Sequence, residues 1–77
     1  MDILCFVEQF GLAIEKKEDT QLSPDTNFWE LDEWSSLAAL SIVVMIKKEY
    51  GVTLRNADVK GVQTIRGIFD IVNSKIL

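Results

Sequence analysis

The stretch ELDEWSSLAALSIVVMIKKEYG, residues 30–51, decides how this chain folds. Two adjacent hydroxyls, Ser35 and Ser36, stand between an acidic loop ending in Trp34 and a long, mainly apolar run. That run keeps helical spacing, and Gly51 follows Tyr50 as a natural left-handed terminator. The pattern predicts a helix over Ser36–Tyr50, with Ser35 best placed to cap it by accepting a bond from an orphan backbone N–H. With successive residues about 100° apart, Ala39, Val43, Ile46 and Tyr50 cluster on one face with Ile42 at its edge. This is the expected core face. Leu37, Ser41, Val44 and Lys48 form the opposite stripe, flanked by Leu40 and Met45, with Ala38 and Lys47 also expected outward. A contiguous apolar row of Leu37, Leu40 and Val44 near solvent points to a docking surface, unless the preceding loop covers it.

Upstream, Ile3, Val7, Phe10 and Ile14 recur at helical spacing with Phe6 and Ala13 beside them, one apolar stripe on a first helix. Asp2 suits its N-terminus, Gly11 carries a modest propensity cost, and Cys5 falls away from the stripe and is expected partly exposed. Residues 20–35 break the pattern with turn chemistry at Ser23-Pro24-Asp25 and Thr26-Asn27. Phe28, Trp29, Leu31 and Trp34 are too apolar for an idle linker, so a long loop pinned to the core by some of them is expected. Downstream, residues 56–62 hold a short helical turn. Thr64 caps a last helix whose stripe is Ile65, Ile68, Phe69, Val72 and Ile76. Only Gly51-Val52-Thr53-Leu54 offers a trace of strand character. The predicted fold is all-α: a small bundle of three main helices plus one short helix, with a long first loop.

Seventy-seven residues make one small domain, 1–77, and 48% hydrophobic content gives it a core rather than a disordered tail. The net charge of −4 is unevenly spread: nine of the 12 acids but only two of the eight bases lie in residues 1–46. An acidic front half argues against nucleic acid, including a helix-turn-helix reading, because phosphate backbones require clustered bases. One cysteine precludes an internal disulfide framework. No stretch is long enough for a membrane span, and no signal peptide pattern opens the chain. A cytoplasmic monomer without membrane contact is the expectation.

Three roles compete for the serine pair. Helix capping needs one serine. Nucleophilic catalysis needs a base, and the chain has no histidine, while Lys47 and Lys48 lie three turns away along the same helix. Catalysis is therefore rejected: no catalytic residue and no metal site is expected. A modification site remains, since a helix N-terminus stabilises an attached phosphate.

At this point the sequence resembles the acyl carrier proteins. Their prosthetic-group motif has Asp-Ser-Leu at the start of the second helix, often preceded by Trp, as Trp34 precedes here. The resemblance covers essentially the whole chain: a helix over residues 3–17, the long loop, a second helix ending in EYGV, a short helix and the Thr64-led last helix. It implies that Ser36, followed by Leu37, receives 4′-phosphopantetheine, derived from coenzyme A, through a phosphodiester. The implied partners are a phosphopantetheinyl transferase and acyl-group-handling enzymes of fatty acid, polyketide or related biosynthesis. They would dock on Leu37, Leu40 and Val44, with charge steering from the loop acids, Glu30 and Asp32 among them. Ser35 stands where the family carries an acid, and the second helix has Lys47 and Lys48 where acids are common. The resemblance also implies that an acyl chain can enter between apolar side chains such as Phe6, Val43, Ile46 and Ile68. A peptidyl or aminoacyl carrier, and an unmodified interaction domain of the same fold, stay open as alternatives.

Overall fold

The computed structural model describes residues 2–76. Among them the regular structure is helical: α1 (Ile3–Ala13), a 3-10 turn (Phe28–Glu30), α2 (Ser36–Tyr50), α3 (Asn56–Lys60) and α4 (Ile65–Ile76). No strand forms among the described residues. Residues 51–54 carry no regular structure, and Val52 and Leu54 are buried. α1, α2 and α4 pack around a centre of Phe6, Phe10, Phe28, Ile42, Ile46, Ile65, Ile68 and Val72, each fully buried.

α1 begins where Asp2 accepts a bond from the Leu4 N–H at 3.0 Å. It ends four residues earlier than the expected residue 17. Glu15 adopts φ 55, Lys16 N–H bonds the Gly11 carbonyl at 3.0 Å and Glu15 N–H bonds that of Leu12 at 3.2 Å. These paired bonds close the helix in a Schellman motif with glutamate in the left-handed position. Glycine usually marks that position, so the sequence carries no stop signal there. Gly11 has a packing role instead. A Cβ on it would lie 3.0 Å from Lys16 Cδ and 3.2 Å from Leu22 Cδ1, so these two side chains close over its bare backbone.

α2 has the predicted bounds, and Gly51 terminates it at φ 70. Its core face is rotated from the expected one. Ala38, Ile42 and Ile46 are buried, whereas Ala39, Val43 and Tyr50 are only partly so; Ala38 points inward rather than out. The cause is Tyr50, taken from sequence to mark the buried face. Its hydroxyl donates to Gln9 Oε1, which keeps the phenol at the margin of the interface while its ring packs on Phe6. Partial burial pushes the Tyr50 phenol pKa up. On α4, Ile65, Ile68 and Val72 are buried and Phe69 partly so, but Ile76 is exposed, beyond the reach of the opposing helices.

The long loop is tied down at both ends. Near its start, the Glu33 carboxylate accepts from Lys17 N–H at 3.0 Å and Thr20 Oγ1 at 2.5 Å. These two bonds, Thr20 foremost, hold the Glu33 carboxyl below its ordinary value. Further on, Asn27 and Thr64 form an isolated antiparallel bridge, Phe28 N–H bonds the Gln63 carbonyl at 3.1 Å, and Arg66 N–H bonds that of Pro24 at 2.7 Å. Phe28 fills the centre, Leu31 and Trp34 are half-buried, and Trp29 stays exposed. Trp34 lies parallel to Phe10 with ring centres 6.1 Å apart and meets Phe28 at 4.5 Å. No helix among the described residues is long and apolar enough to cross a membrane.

Candidate functional site

The first turn of α2 sets the site. Ser35 is extended at φ −159 and its Oγ accepts from Ala38 N–H at 3.1 Å, so capping belongs to this serine. That leaves the adjacent Ser36 free of structural duty. It is exposed at the N-terminus of a 15-residue helix, where the dipole and orphan N–H groups favour an anion. The pair therefore divides its roles: one hydroxyl turned to the backbone, one presented to solvent.

Ser36 opens onto a groove of about 470 Å³ between α2, α3 and the loop. Trp29, Trp34, Ala39, Leu40 and Val59 supply its apolar wall, and Asn56 and Lys60 its polar side. Trp29 is fixed there by its indole N–H, which donates to the Val62 carbonyl at 2.8 Å. An exposed hydroxyl at a helix N-terminus, next to a groove with both amide-compatible and cationic groups, fits a phosphodiester-linked polar arm. Among the described residues no cluster of His, Cys, Asp and Glu is arranged to hold a metal.

The predicted docking residues lie on the outer side of α2. Leu37 is 73%, Leu40 59% and Val44 58% exposed, so the loop does not cover them. Leu40 joins Ser36 at the groove; Leu37 and Val44 do not line it. Glu30 and Asp32 are exposed on the loop and also lie outside it. Phe6, Ile46 and Ile68 are fully buried and Val43 half-buried, so cargo entering between them must first part the helices. Sequence reasoning missed Asn56, Val59 and Lys60 as neighbours of Ser36. α3 is five residues long, too short for periodicity to reveal its facing side.

Among the described residues, four α-helices with an exposed serine at the head of the second match the arrangement expected of a carrier domain. The chain belongs to the family described as the phosphopantetheine attachment site, whose model matches residues 6–72. Members of that family bear covalent 4′-phosphopantetheine. The chain is 34% identical over 56 residues to "Polyketide-8 synthase acyl carrier protein 2" of Streptomyces avermitilis. That alignment covers 73% of this chain and 64% of the relative's length. The fold is similar to the solution NMR structure of the holo acyl carrier protein from Geobacter metallireducens, with a TM-score of 0.77 at 16% identity. The superposition covers 96% of this chain and 84% of that one.

Proposed function

We propose that residues 1–77 form one acyl carrier domain whose 4′-phosphopantetheine arm is attached to Ser36 Oγ. The observation carrying this is the division of labour at the α2 N-terminus: Ser35 is consumed by the cap and Ser36 is exposed beside the Trp29–Lys60 groove. Ser36 anchors the arm, and Lys60 and Asn56 are the polar groups placed to receive its phosphate and amides. When bound, the group supplies a thiol that carries cargo as a thioester. The protein raises that cargo's effective concentration at successive active sites rather than transforming it.

The cargo we assign is an acyl group. Within that class the likeness to a polyketide synthase carrier makes a polyketide-type chain the first to test, ahead of fatty-acyl or peptidyl cargo. Partners are a phosphopantetheinyl transferase and acyl-handling enzymes that approach over Leu37, Leu40 and Val44, with Glu30 and Asp32 steering them. The domain works as a cytoplasmic monomer. Incubation with coenzyme A and a broad-specificity transferase, followed by intact mass and peptide mapping, tests the assignment. One phosphopantetheine addition at Ser36 is expected, lost in Ser36→Ala and retained in Ser35→Ala. Labelling that survives Ser36→Ala, or that needs Ser35 instead, overturns it.

A further inference from the structure

Trp29 is held more firmly than an exposed ring requires. It is 43% exposed, and Phe28 rather than Trp29 fills the centre of the bundle. Yet its backbone N–H donates to Asn27 Oδ1 at 3.0 Å and its indole N–H to the Val62 carbonyl at 2.8 Å. Its ring also meets those of Phe28 and Trp34, with centres 5.6 Å apart in both pairs. A half-exposed indole can bond water almost as well as a carbonyl, so the Val62 bond adds little net stability. What it fixes is position.

That position matters because of what Val62 holds. α3 is five residues long, too short to stand as a helix alone, and its capping is local, with Arg55 N–H donating to Asp58 Oδ2 at 3.0 Å. Val59 is its buried residue, and it packs on α4 more than on α2. Its exit is pinned at Val62 from two sides. A Cβ on Gly67 would lie 2.9 Å from Val62 Cβ, so the valine rests on bare α4 backbone. On the other side, Ile65 N–H bonds the Thr26 carbonyl at 3.3 Å and Phe28 N–H bonds that of Gln63 at 3.1 Å, a seam joining the long loop to the α3–α4 connection. The Trp29 indole carries that seam one residue further, to Val62. Trp29 from the loop and Val59 and Lys60 from α3 face the same groove as Ser36. A shift at Val62 therefore moves one wall of that groove against the other.

We propose that Trp29 is a positioning residue for the arm. Its indole N–H braces the α3 exit against the loop and holds the groove at a width in which an arm on Ser36 rests along Val59 and Lys60 instead of swinging free. The effect passes through Val62 and involves no bond to the arm. The proposal rests on the reading of Ser36 as the attachment point and deepens it, giving one residue control over where the arm lies.

The test compares Trp29→Phe, which keeps an aromatic wall and loses the donor, with Trp29→Ala, which loses both. In the unmodified chain, relaxation dispersion of the α3 amides should report an open population about two- to tenfold higher in Trp29→Phe than in the parent, the effect of losing one net hydrogen bond. In the chain loaded from coenzyme A carrying isotope-labelled pantetheine, nuclear Overhauser contacts from the arm to Val59 and Lys60 should be present in the parent and at least halved in Trp29→Phe. The extent of Ser36 labelling should stay the same. Ile46→Val, a core change away from the groove lining, serves as control and should leave α3 opening and the arm contacts as they are. Unchanged α3 opening in Trp29→Phe, or loosening in Trp29→Ala alone, overturns the proposal, because the bulk of the ring and not its N–H then sets the wall. So does an arm without α3 contacts in the parent, or an Ile46→Val chain that loosens α3 as much as Trp29→Phe does. A Ser36 that takes up no arm, with α3 still loosened in Trp29→Phe, would instead sink the attachment reading and leave the brace on α3 standing.

Discussion

α2 and α4 begin alike and end differently. Each opens on a hydroxyl cap of the same length, Ser35 Oγ to Ala38 N–H and Thr64 Oγ1 to Gly67 N–H, both 3.1 Å. α4 then sorts its residues cleanly, with Ile65, Ile68 and Val72 inside and Arg66, Asp70, Asn73 and Lys75 outside. α2 does not: it buries Ala38, Ile42 and Ile46 yet leaves Leu37, Leu40 and Val44 in water. Apolar surface left outside contributes nothing to the monomer's fold. The helix that segregates well spends its apolar side chains on the bundle, and the one that segregates poorly carries the face on which the proposed docking rests.

That contrast breaks most visibly in stability. Ile68→Ala, at the fully buried centre of α4, should cost about 2–5 kcal/mol through lost transfer energy and a residual cavity. Leu40→Asp or Val44→Asp should melt within about 0.5 kcal/mol of the parent, as exposed substitutions do, while weakening partner binding. Thermal melts decide this. A core-sized loss for Val44→Asp would mean that the outer face of α2 is structural after all.

The caps come next. Ser35→Ala and Thr64→Ala should each cost about 1 kcal/mol in denaturant unfolding, since each strips the acceptor from an orphan N–H. Ser35→Asp should leave stability nearly unchanged, the carboxylate replacing the cap, yet speed transferase labelling by restoring an acid beside Ser36. Indistinguishable labelling rates would show that the missing acid is no handicap.

The smallest effect is set by pH. The Glu33 carboxyl is held below its ordinary 4.5 by Thr20 and the Lys17 N–H, so it binds fewer protons folded than unfolded. Its contribution is complete above that value and fades as pH falls through the lowered one. The protection of amides around Lys17 and Thr20, corrected for intrinsic exchange, should therefore fall in acid before that of α4 does. Glu33→Gln should lower that protection near neutral pH and flatten its pH dependence. An unaltered profile in Glu33→Gln would remove Glu33 as the tie.

Much of this was legible in the sequence because the signals were local. The bounds of α2, its serine cap, its glycine stop and the Thr64 cap follow from residue types at adjacent positions. The exposure of Leu37, Leu40 and Val44 follows from periodicity. What escaped was set by an unusual local conformation or by contacts distant in the chain. The end of α1 depends on Glu15 taking a conformation that glycine normally signals. The rotation of the α2 core face depends on Gln9 holding the Tyr50 hydroxyl at the surface. The groove beside Ser36 is assembled from three segments, and Lys60 and Asn56 bear no sequence mark of belonging to it.

The two tryptophans give the molecule a built-in optical gauge. Trp34 lies half-buried against Phe10 and Phe28, while Trp29 stands exposed on the same groove wall, and both border Ser36. Their ring centres are 5.6 Å apart, close enough for excitation to pass from one indole to the other. Whatever settles in that groove strips water from the Trp29 ring and shifts its emission toward the blue. If the proposed arm at Ser36 settles there, its loading and unloading should be readable in native fluorescence, in real time, without attaching a dye.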